Sequence, residues 1–320
     1  MVANAAPPAP AGDALPPPAT FNVRVHRPRR LARPPLLPAA AWRAFDSPLV
    51  PRPFDRPTDA AVRRVPPLGP QTVCATAEKK AAQDPTTTVV LGFSAGALIG
   101  IGALLMSCVG GASPALATAN PGLCNFLKGA VGLPAGLTLV ILTGAELFTG
   151  NVMTMLSGLF AKRVETGAVM RNWVLSYLGN FIGSVVMAYL AFGANTAAAP
   201  AAKAAVVGIA TMKASLPFSV AFFKGVLCNW LVCLAVWGTM ASTSVAGKIL
   251  AIFWPISAFV TLGFEHSIAN MFLIPHGMLN GAQVTVGEMM MNNIIPVTLG
   301  NMFAAAVFVA GIHYYAYGRK

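Results

Sequence analysis

The order of hydrophobic and polar positions divides this chain before anything else does. From residue 85 on, charged side chains are so sparse that they bound six long intervals, at 85–127, 129–161, 172–202, 214–247, 249–287 and 289–318. Each interval is long enough for a helix of about 20 residues, the length that crosses a hydrocarbon layer. Glu146, Lys224 and Glu265 are the charges that fall inside an interval. With six crossings, the flank before the first, the 162–171 and 241–248 loops and the C-terminus share one side. That side carries Lys79, Lys80, Lys162, Arg163, Arg171, Lys248, Arg319 and Lys320, against Lys128, Lys203 and Lys213 on the other. The excess of basic residues predicts that both termini lie on the inner side of the membrane.

The intervals repeat in threes. GAELFTGN (144–151) aligns with GFEHSIAN (263–270), sharing Gly, Glu and Asn at an offset of 119. At an offset of 121, Asn172 matches Asn293 and Leu178-Gly179-Asn180 matches Leu299-Gly300-Asn301. An odd number of crossings per copy inserts the second copy upside down, the inverted arrangement of many transporters.

Both octapeptides fall in the second helix of their copy, at mid-membrane depth. A carboxylate there costs roughly 2.5–3.5 kcal/mol, so it should face the protein interior and pair. Gly144, Gly150 and Gly263 weaken the helix beside it, and broken backbone at that depth is tolerated only inside protein or along a cavity. Glu146 and Glu265 are expected to pin the breaks by accepting hydrogen bonds from freed backbone N–H groups. His266 is set deep among polar neighbours (Glu265, Ser267, Asn270), which suits gating or proton relay. His276 and His313 fall near span ends and read as interfacial. Lys213 fits a snorkelling anchor or a cationic vestibule for a small anion. Lys224 lies 11 residues, about 16 Å of helix, further in, and needs a cavity or a partner. Leu147, Phe148 and Phe259 near the breaks could form apolar constrictions. The Gly96xxxGly100 and Gly179xxxGly183 spacings predict close helix packing.

Composition confirms the membrane reading and sets the first segment apart. The chain is 56% hydrophobic and 10% charged, where soluble domains average about 45–50% and 25%. Residues 1–70 hold 17 of the 26 prolines, ten arginines, four aspartates, and no lysine or glutamate. This Arg-rich, acid-poor stretch, which includes His26 and has no apolar core, excludes a secretory signal and fits an organelle transit peptide. Val73-Cys74-Ala75 would suit its processing site. The remaining 250 residues carry 12 Lys/Arg and six Asp/Glu, too few for a water-facing surface. The net charge of +12 divides equally between tail and body. It suits targeting, juxtamembrane anchoring and attraction of anions. Nucleic-acid binding would need a solvated basic face with interleaved aromatics, which is absent. Five cysteines without CxxC or zinc spacing read as small buried residues.

Four motifs in order, GAELFTGN (144–151), KGVLCNWLVCLAVW (224–237), GFEHSIANMF (263–272) and NNIIPVTLGN (292–301), resemble the formate/nitrite transporter family over roughly 86–316. The transit-like tail, 1–75, makes the chain similar to the plastid branch of green algae. The resemblance implies an all-α membrane protein similar to aquaporins, with six transmembrane helices in two inverted three-helix repeats and two broken helices. It further implies a homopentamer in which each protomer carries a pore. His266 would be the pore histidine between two constrictions, at Leu147, Phe148 and Thr149 in the first break and at Phe259 in the span. Thr149, Asn229, Asn270 and Asn293 would group around it, with Lys213 at the vestibule. Glu146, Glu265, Asn151 and Asn172 would support the breaks. Lys224 stands where bacterial members can be apolar. The implied substrates are nitrite, formate and protons, with bicarbonate as the alternative, across the chloroplast inner envelope with both termini in the stroma. No cofactor or metal is called for, and the other partners are membrane lipids. An intramembrane enzyme would need a constellation such as HExxH or GxSxG, which is missing. A passive scaffold would not need a polar inverted repeat.

Overall fold

A computed structural model describes residues 70–318, in which every regular element is helical. The transit-like sequence over 1–69, with His26, and the terminal Arg319 and Lys320 lie outside the described residues. Helix α1 (Pro70–Ala82) precedes α2 (Pro85–Gly111). Asp84 caps α2 by accepting from the Thr87 N–H, and Pro85 has no N–H to leave unsatisfied. Prolines also open α3 (Pro114–Ala119), α4 (Pro121–Val131) and, one residue in, α5 (Leu133–Thr143). The first half closes with α6 (Phe148–Phe160) and α7 (Thr166–Gly193). The second half contains α8 (Pro200–Ala214), α9 (Phe218–Ala241), α10 (Val245–Thr261) and α11 (Ser267–Leu279). It ends with α12 (Val286–Gly318), which is π-helical over Met289–Ile294, Ala305–Gly311 and Tyr314–Gly318.

Among the described residues, five helical stretches are long and apolar enough to cross a membrane: α2, the α4–α5 stretch, α7, α9 and α12. The 17-residue α10 is apolar but shorter. Apart from α3, the order of elements in the first half returns in the second: α1 and α8, α2 and α9, α4–α5 and α10, α6 and α11, α7 and α12. Tyr177 Oη and Thr298 Oγ1 lie 3.1 Å apart. They are 121 positions apart in the chain, so equivalent residues touch where α7 meets α12.

Two helix pairs form the frame, α2 along α7 and α9 along α12. Glycines bring these backbones into contact. A Cβ at Gly96 would strike the carbonyl oxygen of Asn180, one at Gly183 that of Phe93, and one at Gly300 that of Phe222. The outward faces carry large apolar groups, with Leu190, Phe223 and Trp254 all more than 60% exposed. Such a surface belongs in lipid or against a partner.

α1 is part of this body. Val73 and Ala77 are fully buried, and Ala77 fills the space beside Gly158 of α6. Arg163 clamps Glu78 through two hydrogen bonds. The Val73-Cys74-Ala75 segment therefore sits inside a docked helix. Cys74, Cys124, Cys228 and Cys233 are buried, Cys108 partly so, and all five are free.

Close packing sets the first prediction. Gly96→Ala and Gly300→Ala should each lower thermal stability in detergent by about 1–3 kcal/mol, the usual cost of overpacking. Gly208→Ala, where nothing lies within 4 Å, should leave the transition unchanged or slightly raised. Equal transitions for all three variants would contradict the backbone contacts described.

Candidate functional site

Both helix breaks are built in the same way. α5 ends at Gly144 with φ 70° and α10 ends near Gly263 with φ 69°, a left-handed conformation that favours glycine. Beyond each glycine the next N–H reaches back, Ala145 to Val140 O and Phe264 to Phe259 O, both at 3.0 Å. This Schellman closure satisfies the last carbonyls of the helix. Residues 145–147 and 264–266 then run without helical structure.

Two buried asparagines satisfy the exposed backbone of these stretches. Asn180 donates to Gly92 O at 2.8 Å and Glu146 O at 2.9 Å, and its Oδ1 accepts from Phe148 N–H at 2.9 Å. Asn301 does the same for Gly225 O, Glu265 O and Ser267 N–H at 2.8, 3.2 and 3.0 Å. Among the described hydrogen bonds, the Glu146 and Glu265 carboxylates accept none from backbone. The expectation that they clamp freed N–H groups is therefore corrected. An asparagine does this better because it offers donors and an acceptor together.

The carboxylates have other partners. Glu146 accepts from Lys80 Nζ at 2.6 Å, Asn151 Nδ2 at 2.7 Å and Asn172 Nδ2 at 3.3 Å. Glu265 accepts from Lys213 Nζ at 3.0 and 2.9 Å, Asn270 Nδ2 at 2.7 Å and Asn293 Nδ2 at 3.2 Å. Lys213 is buried, and its ammonium meets both carboxylate oxygens rather than open water. A buried carboxylate tolerates its surroundings only with such pairing.

Three cavities lie in series between the breaks. The first vestibule, about 320 Å³, is lined by Lys80, Lys248 and Asn151 among others. The second, about 200 Å³, is lined by Lys128, Lys213, Glu265 and Asn270. Between them a chamber of about 10 Å³ shares Leu137 and Leu147 with the first and Leu133, Phe259 and His266 with the second. His266 is the one polar residue in its wall. That volume holds about one water molecule. Leu147 and His266 are also the N-cap residues of α6 and α11, so both half-helices begin at the chamber.

Hydrogen bonds fix the His266 ring. Nδ1 accepts from the Ala269 N–H at 3.2 Å, so Nε2 carries the proton and donates to Thr149 Oγ1, 3.0 Å away. Thr149 is held from behind, its carbonyl accepting from Asn229 Nδ2 at 3.3 Å. Phe148 does not join Leu147 at the constriction. As the first residue of α6, beyond the extended Leu147, it packs edge-on against Tyr177 in a groove between α7 and α12. Lys224 is half-buried on α9 and lines neither vestibule, although its carbonyl accepts from the Glu265 N–H.

The profile of formate/nitrite transporters matches residues 70–315. The chain belongs to the formate/nitrite transporter family. A probable formate transporter of Methanothermobacter thermautotrophicus is 46% identical over 72% of this chain and 88% of its own length. A nitrite transporter of Escherichia coli (strain K12) is 37% identical over 69% of this chain and 80% of its own. The solved structure of a pentameric formate channel with formate bound superposes with a TM-score of 0.65 at 29% identity, covering 73% of this chain and 98% of that one. The family match begins where α1 begins.

Sequence reasoning missed Lys80, Asn180 and Asn301 as parts of this site. Lys80 is 66 positions from Glu146 and was counted only as a flanking charge. The Leu-Gly-Asn repeat did mark both asparagines, without saying what they bind.

The pairing generates a double-mutant prediction. Lys80→Met should cost about 3–5 kcal/mol, because it leaves Glu146 charged, buried and unpaired. Lys80→Met with Glu146→Gln should recover most of that loss. Thermal unfolding of the purified protein, with assembly checked by size, measures both. A double variant no more stable than Lys80→Met would show that the pair is not the relevant interaction.

Proposed function

We propose that this protein conducts a small monovalent anion, nitrite foremost, as a channel or proton-linked carrier. Each protomer would carry its own pore, with six membrane crossings in two inverted repeats and five copies in the assembly. The observation that carries this reading is the chamber of about 10 Å³ between two vestibules, apolar except for one histidine. At one water's volume the chamber must widen for any anion, and it must widen less for one of three heavy atoms, such as nitrite or formate, than for the bulkier bicarbonate. The formate and nitrite transporters and the pentameric channel that the chain resembles support the same reading.

The geometry supplies a mechanism. An anion passing Leu147 or Phe259 must shed water, which is costly in an apolar passage. Two half-helices begin at the chamber, and the partial positive charge of their N-termini offsets part of that cost. His266 offers a donor or, once charged, a proton that lets the substrate leave as a neutral acid. For the ring to take a second proton, Nδ1 must release the Ala269 N–H. Protonation and loosening of the first turn of α11 are then one event.

Uptake of nitrite, formate and bicarbonate by one preparation of proteoliposomes tests the reading. Nitrite or formate should enter faster than bicarbonate, and the reverse order would overturn the choice of substrate. In the same assay, His266→Asn should assemble, since asparagine also caps a helix. Between pH 5 and 8 its flux should lose the pH dependence of the wild type. Unchanged pH dependence would remove His266 from the mechanism.

The Pro- and Arg-rich tail supports delivery to the chloroplast inner envelope, with both termini in the stroma. Because α1 is docked, removal of the tail would fall before Pro70. A fluorescent protein fused behind residues 1–69 should enter plastids, and a cytosolic signal would refute the address.

A further inference from the structure

Each vestibule contains two lysines, and in each one of the two is neutralised. Lys80 and Lys213 are bound to Glu146 and Glu265. Lys248 lines the first vestibule and Lys128 the second. Among the described residues, no carboxylate pairs with either of them. Lys128 donates to Asn125 Oδ1 at 3.3 Å, a long bond within its own helix, and its stem lies beside Gly110. Both residues are half-buried.

The two positions are one residue out of register with the repeat. Lys128 stands 16 residues before Gly144 (144 − 128), and Lys248 stands 15 before Gly263 (263 − 248). Each mouth thus holds one ammonium without a carboxylate partner, on the helix that leads to its break. A closed ion pair exerts little pull at a distance, whereas a lone ammonium attracts an anion over the Debye length.

We propose that Lys128 and Lys248, and not the paired Lys213 and Lys80, collect the anion at the two mouths. The inference rests on the anion conduction proposed above and names the residues that serve it. They act as positioning residues, raising the local anion concentration without touching the chamber.

The test is nitrite uptake into liposomes of neutral phosphatidylcholine, by wild type, Lys128→Gln, Lys248→Gln and the double variant. At about 10 mM ionic strength and nitrite well below saturation, each single variant should lose about threefold to fivefold, the pull of one charge at about 4 Å in water. The double variant should lose roughly the product. Near 1 M salt, where the Debye length is about 3 Å, all should approach the wild type. Lys128→Arg and Lys248→Arg should keep wild-type uptake at both salts. An equal loss at low and high salt would overturn the proposal in favour of a structural role, and unchanged uptake at low salt would overturn it outright. If the wild type conducts and the variants match it, only this assignment falls. If the wild type takes up no nitrite, formate or bicarbonate, anion conduction itself falls and takes this inference with it.

Discussion

Glu146 and Glu265 are 2% and 1% exposed, each in the middle of an interrupted helix, and both take a counter-charge from outside that helix. The cation comes from the helix before the first crossing of each half, α1 or α8. One asparagine comes from the half-helix after the break and a second from the crossing that follows, in α7 or α12. One carboxylate thus ties together the break and elements before and after it. This explains why a 13-residue helix as polar as α1 docks against the bundle. Docking puts Lys80 within 2.6 Å of its carboxylate.

The same pairing shapes what an anion would meet. An unpaired lysine at the depth of Lys213 would hold an anion strongly, and conduction requires sites weak enough to leave. Closing both deep lysines into ion pairs removes such a trap. On the proposal above, attraction would be left to the rim and to the helix ends at the chamber. Asn180 and Asn301 complete the arrangement by meeting the backbone of the breaks. They leave the chamber itself lined by aliphatic groups, Phe259 and one imidazole.

Five apolar spans and the two glycine breaks were legible because they are written in local patterns: long charge-free runs, a carboxylate beside glycine, matched octapeptides. The partners of the carboxylates were not. Lys80 lies in a polar helix that hydropathy separates from the spans, and its role depends on a contact across 66 positions. The place of Phe148 turned on where α6 begins. Leu147 and Phe148 are neighbours of equal apolarity, yet one faces the chamber and the other a groove beside Tyr177. Leu147 is the extended N-cap and Phe148 the first helical residue, so the point where α6 begins and the way it packs decide which of them faces inward.

The repeat builds two equivalent breaks, and the chemistry depends on where they differ. At the offset of 119, His266 corresponds to Leu147 and Thr149 to Ile268. The hydrogen bond from His266 to Thr149 joins the two halves, and its counterpart would pair Leu147 with Ile268, two residues that cannot hydrogen-bond. A strictly symmetric pair would give the chamber either two imidazoles or none. On the mechanism proposed, two would add a second polar group to a passage that excludes water, and none would leave no group to exchange a proton. With leucine on one side and histidine on the other, the scaffold keeps its two equal breaks, while the chamber has one group that can hold or release a proton and one that only narrows the way.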